Sequence, residues 1–227
     1  MKTKRKVLIK PKKGSFRVAI FGSARIKKTH SVYKTVYKLS KSFAQEGIDV
    51  VTGGGPGLME AANSGHKAGS MKTKAQSIGL GIKLPNEQGF NDSLDYEETF
   101  MRFTQRLDKF MLLSNAVIVA PGGVGTILEL FYTWQLVQVN HVCNIPIILL
   151  GEDWQGLIDW LEEHPLKSKY FNKEDLELLY IAKNTDEVLE IIKRSHEEFK
   201  KGNKDFCFNY DKYKARFNTQ KNKKKSY

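Results

Sequence analysis

The residues best suited to chemistry lie in one short stretch, residues 121–129, with the sequence PGGVGTILE. It follows an apolar, β-branched run at residues 115–120, which is typical of a fully buried parallel strand. After it, apolar side chains at three- and four-residue spacing predict a helix over residues 127–139. A glycine turn between strand and helix leaves backbone N–H groups at the helix start, where the helix dipole favours a phosphate. The stretch is therefore a candidate phosphate-binding loop.

The same stretch also has a purely structural interpretation. In it, Thr126 caps the helix and Glu129, three residues later, completes a capping box. Taken alone, the nine residues do not separate this interpretation from phosphate binding.

Strands and helices alternate along the rest of the chain. Strands are predicted over residues 16–21, 48–52, 76–82, 115–120, 145–150 and 178–182. Helices are predicted over residues 30–45, from near 56 to 68, and over 100–113, 127–139, 154–162 and 186–199, with a polar loop over 84–96. This alternation predicts an α/β fold with a Rossmann-like, doubly wound parallel sheet. We expect a single domain over residues 16–199, with a basic arm at 1–15 and a basic tail at 200–227.

Three glycine-containing turns, at residue 22, at 53–57 and at 122–125, each follow a predicted strand. In a parallel sheet these turns gather at the carboxyl ends of the strands, where such folds bind their ligands. The chain has neither a G-x-G-x-x-G fingerprint nor a G-x-x-x-x-G-K-[ST] phosphate loop. The pattern thus disfavours an ordinary dinucleotide oxidoreductase or a P-loop NTPase and favours a mononucleotide-sized phosphate ligand.

Composition and charge set the remaining bounds. Of 227 residues, 41% are apolar, as in an ordinary globular protein, and no run approaches the roughly 20 apolar residues needed to span a membrane. The formal net charge is +12, yet residues 1–17 and 200–227 each carry +8, so the central part is mildly acidic. The basic ends are expected to be solvated, with weak polyanion binding as the alternative. Two distant cysteines and the lack of a secretory signal predict a cytoplasmic protein, and the five histidines show no metal-ligand pattern.

Two motifs in register resemble a known family. Residues 53–63, GGGPGLMEAAN, together with residues 121–129, are similar to the Lonely Guy family of cytokinin riboside 5'-monophosphate phosphoribohydrolases and nucleotide 5'-monophosphate nucleosidases. FGSAR at residues 21–25 and LPNEQ at 84–88 extend the resemblance, which covers about residues 16–165. It implies hydrolysis of the N-glycosidic bond of a purine or modified adenine nucleotide by a homodimer, without a metal or other cofactor.

The resemblance also implies roles for particular residues. The catalytic glutamate of the family falls on Glu129 and the catalytic arginine on Arg106. A carboxylate suits an oxocarbenium-like transition state, and a guanidinium can hold phosphate or ribose oxygens and keep the glutamate ionised. The remaining substrate and phosphate contacts are expected from Gly22, Ser23, Gly54, Gly55, Met59, Glu60, Gly122, Gly123, Val124, Gly125 and Thr126.

One departure from the family pattern leaves two alternatives open. Leu107 stands where the family usually has a lysine after the arginine, so one expected cation is missing. This substitution favours a non-catalytic nucleotide-binding protein or molybdenum-cofactor carrier as the second hypothesis. A third hypothesis is a polyanion-binding protein in which the basic ends act.

Overall fold

The computed structural model describes residues 14–84 and 89–202. Within them, seven parallel strands form one sheet in the order β4-β3-β2-β1-β5-β6-β7. The strands are β1 (Arg17–Phe21), β2 (Asp49–Thr52), β3 (Ser77–Ile82), β4 (Tyr96–Phe100), β5 (Ala116–Val119), β6 (Ile147–Leu150) and β7 (Leu179–Ala182). The α-helices are α1 (Ser31–Gln45), α2 (Leu58–Gly69), α3 (Phe103–Leu113), α4 (Val124–Gln138), α5 (Gln155–Leu161), α6 (Lys173–Leu176) and α7 (Thr185–Lys200). The prediction of a single Rossmann-like α/β domain is confirmed.

Helices cover both faces of the sheet because successive strand residues point to opposite sides. Val18 and Ile20 of β1 pack with α1, α2 and α7, whereas Ala19 and Phe21 pack with the layer that contains α3, α4 and α5. Helices α1 and α2 approach closely, and a Cβ atom on Gly65 would overlap with the carbonyl group of Tyr37. The central strands are buried on both faces, which explains their continuous apolar sequence.

The strand order reverses between β1 and β5. From β1 the chain moves outward through β2 and β3 to β4, and β5 then returns to the other side of β1. The connections after these two strands therefore diverge, and a crevice forms at the carboxyl edge of the sheet. We call this edge the carboxyl edge and the opposite one, where the strands begin, the amino edge.

Two of the predicted elements are wrong in extent. The region 84–96 was expected to be loop and residues 100–113 helix, but Tyr96–Phe100 is the edge strand β4 and the helix α3 begins at Phe103. Because β4 pairs with β3 alone and is only partly buried, its sequence, YEETF, is polar and lacks the apolar pattern by which a strand is predicted. Residues 85–88 of the predicted loop lie outside the described residues, as does most of both basic ends.

The two helices that follow the glycine motifs also begin elsewhere than predicted. Helix α4 starts at Val124 instead of residue 127, so Gly125 and Thr126 belong to its first turn. Helix α2 starts at Leu58, after Gly57, so Pro56 precedes the helix. In the part of the chain that the structure describes, no helix has both the length and the apolar content needed to cross a membrane.

Candidate functional site

The three glycine turns meet at the carboxyl edge, and Ser23 connects them. Its backbone N–H donates to the carbonyl oxygen of Pro121 at 3.0 Å, and its own carbonyl oxygen accepts from the N–H of Leu58 at 2.9 Å. The turns after β1, β2 and β5 are thus joined by backbone hydrogen bonds. Gly57 has φ +69°, and a Cβ atom there would overlap with the Ser23 carbonyl oxygen, so this junction requires glycine.

A buried polar network shapes the turn that contains Gly54 and Gly55. The Thr52 hydroxyl accepts from the Gly54 N–H at 3.0 Å and donates to Oδ1 of Asn63 at 2.8 Å. Nδ2 of Asn91 lies 2.9 Å from the Gly54 carbonyl oxygen, 3.0 Å from that of Gly55 and 2.9 Å from Oδ1 of Asn63. The side chains of α2 and of the segment after residue 88 therefore hold the glycine turn from both sides.

The two predicted catalytic side chains form an ion pair. Nη2 of Arg106 on α3 lies 3.1 Å from Oε1 of Glu129 on α4, and the side chains are only 12% and 9% exposed. An arginine and a carboxylate 23 residues apart in sequence thus meet beside the turn that follows β2, because α3 and α4 cover the same face of the sheet.

The fold holds the Arg106 guanidinium in one place. Its Nε donates to the carbonyl oxygen of Leu80 in β3 at 2.7 Å, and its Cζ lies 5.1 Å from the centre of the Phe110 ring. A Cβ atom on Gly53 would lie 2.7 Å from Nη2, so the first glycine of the GGG sequence makes room for the guanidinium. Such a preorganised fork suits phosphate or ribose oxygens.

Glu129 has an unusual protonation equilibrium. Burial raises the pKa of its carboxyl group from 4.5 to about 7, although the adjacent Arg106 lowers it. Arg106 therefore acts in the expected direction, but burial has the larger effect. A pKa near neutrality suits a group that accepts and releases a proton during catalysis.

The start of α4 is built like an anion-binding site. The residue before the helix, Gly123, makes no side-chain capping hydrogen bond, and the first N–H groups of an α-helix have no partners within the helix. A Cβ atom on Gly122 would overlap with the Thr126 hydroxyl, whereas one on Gly123 would meet nothing within 4 Å. The capping-box interpretation is wrong, because Gly123 precedes the helix and Glu129 reaches Arg106.

A cleft of about 190 Å³ opens beside this ion pair. Arg106 is the charged residue among those that line it, and the other lining residues are small or apolar. They are Ala24, Gly53, Gly55, Pro56, Met59, Gly81, Ile82, Leu84 and Phe90. Glu129 lies outside this lining and is linked to the cleft through Arg106.

Apart from Gly54, the other predicted contact residues lie in four places. Gly55 and Met59 line the cleft, and Gly22 and Ser23 lie in the turn joined to Pro121. Glu60 is not among the residues that line the cleft; its Oε1 lies 2.7 Å from Nζ of Lys28. The predicted α4 contacts, Gly122, Gly123, Val124, Gly125 and Thr126, all lie at the start of that helix.

Sequence reasoning missed Phe90 and Gly81, which the structure places together with the predicted contact residue Gly54. Gly54 has φ +75°, and a Cβ atom there would overlap with the Phe90 ring, while one on Gly81 would lie 2.6 Å from its Cζ. The ring therefore covers Gly54, whose exposure to a phosphate the sequence predicted. Phe90 lies in the segment 84–96, which was predicted only as a polar loop. The residues around Phe90 show no sequence pattern that predicts a position in the cleft.

Among the residues with described positions, no group of histidine, cysteine or acidic side chains is arranged to hold a metal ion. The pocket of about 250 Å³ between α4 and α6 is lined by aromatic and polar side chains and is separate from the ion pair. The arrangement of helix start, guanidinium and buried carboxyl group is thus the candidate functional site.

Comparisons with known proteins place the chain in a family. A family model described as possible lysine decarboxylase matches residues 59–192, more than half of the chain. A pyrimidine/purine nucleotide 5'-monophosphate nucleosidase of Escherichia coli (strain K12) is 26% identical over 60% of this chain, which spans about a third of the relative, 33% of its length.

Solved structures show the same fold. The molybdenum cofactor binding protein from Rippkaea orientalis has a TM-score of 0.60 at 23% identity, over 79% of this chain and 96% of that one. The molybdenum cofactor carrier protein from Chlamydomonas reinhardtii has a TM-score of 0.58 at 18% identity, over 81% of this chain and 99% of that one. At these identities the likeness concerns the fold alone.

Proposed function

The chain belongs to the Lonely Guy family, whose model is described as possible lysine decarboxylase, and on this premise we propose that it is a nucleoside 5'-monophosphate N-glycosidase. In the proposed reaction the C1'–N bond breaks, water supplies a hydroxyl group to C1' and a proton to the base, and the products are free base and ribose 5-phosphate. The observation that carries the proposal is the buried Arg106–Glu129 ion pair beside the uncapped start of α4.

The spacing along α4 supports a division of labour between its start and Glu129. Glu129 lies five residues after Val124, about 7.5 Å along the helix axis. A phosphate at the helix start and a ribose extended toward Glu129 match the layout of a nucleoside monophosphate. The backbone N–H groups from Val124 onward and the Thr126 hydroxyl serve as the phosphate ligands in this proposal.

The chemistry of the ion pair supports cleavage at C1'. Positive charge develops on the ribose as the C1'–N bond breaks, and an ionised Glu129 stabilises it and orients the attacking water. Arg106 holds phosphate or ribose oxygens and lowers the Glu129 pKa, so that the carboxylate form is populated near neutral pH.

The decisive assay follows free base by chromatography after incubation with AMP, GMP, CMP or UMP. We expect release by the wild-type protein and its loss in Glu129→Ala and in Arg106→Ala. Glu98→Ala is the matched control. Glu98 forms an ion pair with Lys109, with the charged atoms 3.4 Å apart, and neither residue lines the cleft. Release that persists in Glu129→Ala contradicts the proposal.

A non-catalytic nucleotide or molybdenum-cofactor carrier is the second candidate. It is favoured by Leu107, an apolar residue that is 5% exposed where the family usually has a lysine. The two functions differ in one observable: a carrier retains bound nucleotide intact in equilibrium dialysis, whereas the nucleosidase yields free base and ribose 5-phosphate.

We also propose that the protein acts as a homodimer. On α4, Val124 is 85%, Leu128 45% and Ile127 40% exposed, and their three- and four-residue spacing puts them on one face of the helix. An exposed apolar helix face of this kind is typical of an interface. Leu128→Glu is expected to convert a dimer into a monomer in light scattering, whereas a wild-type monomer contradicts the proposal.

We also propose that the basic ends bind polyanions such as DNA or RNA weakly. These ends lie almost wholly outside the described residues, so the support is their charge, +8 for each. The test is salt-dependent DNA or RNA binding that is lost when residues 1–15 and 201–227 are removed.

A further inference from the structure

The phosphate ligands and the ion pair leave the base of the nucleotide without an assigned partner. Apart from Arg106, the cleft is lined by Met59, Ile82, Leu84 and Phe90 and by small residues. A neutral, flat group fits these apolar walls better than a charged one, since burying a charge without a partner is costly. Phe90 supplies the aromatic surface of the cleft.

The Phe90 ring occupies space that two glycines leave free. The ring is half-buried and lies against Gly54 and Gly81; a Cβ atom on Gly54 would overlap with it, and one on Gly81 would lie 2.6 Å from its Cζ. Gly54 follows β2 and Gly81 belongs to β3, so the ring lies at the carboxyl edge of two adjacent strands. Any larger side chain at either glycine would displace the ring.

Asn91, the residue after Phe90, holds the backbone of this segment in place by hydrogen bonds. The N–H of Asn91 donates to the Gly54 carbonyl oxygen at 2.8 Å, and its Nδ2 donates to Gly54, Gly55 and Asn63. The position of Phe90 is thus set before any ligand arrives. A preorganised aromatic surface binds a flat ring at a lower cost in conformational entropy than a mobile one.

We propose that Phe90 is a specificity-determining residue, on whose ring the nucleobase of the substrate stacks. The inference rests on the proposed function, and it names the residue that recognises the base. Because stacking depends on ring area and tolerates differences in hydrogen-bonding groups, purine nucleotides bind more tightly than pyrimidine nucleotides.

The test separates the base from the rest of the ligand. Affinities for AMP and for ribose 5-phosphate are measured by calorimetry in the Glu129→Gln protein, which should not hydrolyse AMP during the titration, alone and combined with Phe90→Leu or Phe90→Tyr. We expect Phe90→Leu to weaken AMP binding about tenfold, because the base loses its aromatic stacking partner, and to leave ribose 5-phosphate binding unchanged. Phe90→Tyr, which keeps the ring, retains AMP affinity.

Tyr180→Leu is the matched control, because Tyr180 is an aromatic residue of β7 that is 47% exposed and lies outside the cleft lining. Unchanged AMP affinity in Phe90→Leu overturns the inference, and so does an equal loss for AMP and ribose 5-phosphate, which indicates a purely structural ring. In both cases base release by the wild-type protein leaves the proposed function standing. A wild-type protein that binds no AMP overturns both.

Discussion

The two edges of the sheet each hold a buried pair of arginine and carboxylate, and the pairs differ in their surroundings. At the carboxyl edge Nη2 of Arg106 lies 3.1 Å from Glu129, and at the amino edge Nε of Arg17 lies 3.4 Å from Asp49. The side chains of both pairs are at most 12% exposed. Residue types and burial alone therefore do not distinguish a candidate active site from a structural ion pair.

The amino-edge pair is enclosed by groups that join strands. Oδ1 of Asp49 accepts from the N–H of Gln76 at 2.8 Å, and the Arg17 N–H donates to Asn115 at 2.9 Å. His66 is fully buried, and its Nε2 lies 3.0 Å from the Ile48 carbonyl oxygen. Since a carbonyl group only accepts, Nε2 carries the proton. Burial lowers the pKa of this imidazole and raises the pKa of Asp49.

The carboxyl-edge pair instead adjoins glycines and open space. Gly53 leaves room for the guanidinium, both residues line the cleft, and burial raises the pKa of the Glu129 carboxyl group to about 7. A buried ion pair thus becomes a candidate for catalysis when small residues leave space beside it for a ligand.

The largest expected contrast is in catalysis. Glu129→Gln should lower kcat for base release about 1000-fold, because the neutral amide neither stabilises positive charge nor accepts a proton. Asp49→Asn, measured where the protein is folded, should change kcat by less than about threefold, since Asp49 lies at the other edge of the sheet. Initial rates with AMP measure both, and similar losses in the two variants would erase the distinction.

Stability should show the reverse contrast. Asp49→Asn should lower the free energy of unfolding by about 3 kcal/mol, since it leaves the Arg17 charge buried without its counter-ion. The folded protein holds the Glu129 proton more tightly than the unfolded chain does, so ionising this group costs about 3 kcal/mol above pH 7. Glu129→Gln removes this cost, its amide oxygen can still accept a hydrogen bond from Arg106, and Arg106 lines an open cleft, unlike the enclosed Arg17. The variant should therefore be neutral or stabilising at pH 8.

Urea unfolding of both variants and wild type at pH 8 gives these differences. A Glu129→Gln protein that is less stable than Asp49→Asn would show that the carboxyl-edge pair is mainly structural.

The pH dependence sharpens the role of Arg106. If ionised Glu129 is the active form, kcat/KM should rise with pH and level off above about 7, the value to which burial raises its pKa. Arg106 lowers that pKa, so in Arg106→Gln the residual activity should level off at a higher pH. Activity profiles from pH 5 to 9 measure the midpoint, and an unchanged midpoint would mean that Glu129 does not control the rate.

The smallest expected effect concerns the phosphate loop. A Cβ atom on Gly123 would meet nothing within 4 Å of the protein, so Gly123→Ala should fold normally. The added methyl group lies at the start of α4, where it hinders an approaching phosphate, and KM for AMP should rise about tenfold. Gly156→Ala in α5 is the control, because its Cβ atom also meets nothing and lies outside the site. Equal KM values would place the phosphate elsewhere.

Local patterns predicted most of the fold. The apolar strands and the glycine turns after β1, β2 and β5 can be recognised from short runs of consecutive residues. Parallel pairing of the strands then brings the turns to one edge of the sheet. Strand β4 was missed because an edge strand with the sequence YEETF lacks the apolar signal of a buried one. The start of α4 was placed too late because Gly125 disfavours a helix locally, whereas the structure includes it.

The sequence by itself determined the type of fold and the glycine turns, and a family resemblance predicted Arg106 and Glu129 as the catalytic residues. Their contact at 3.1 Å, the burial that raises the Glu129 pKa and the seating of Phe90 on Gly54 and Gly81 were decided only by tertiary structure. The physical reason is distance along the chain: periodicity and turn chemistry act among neighbours, whereas burial and side-chain contact depend on segments that only packing brings together.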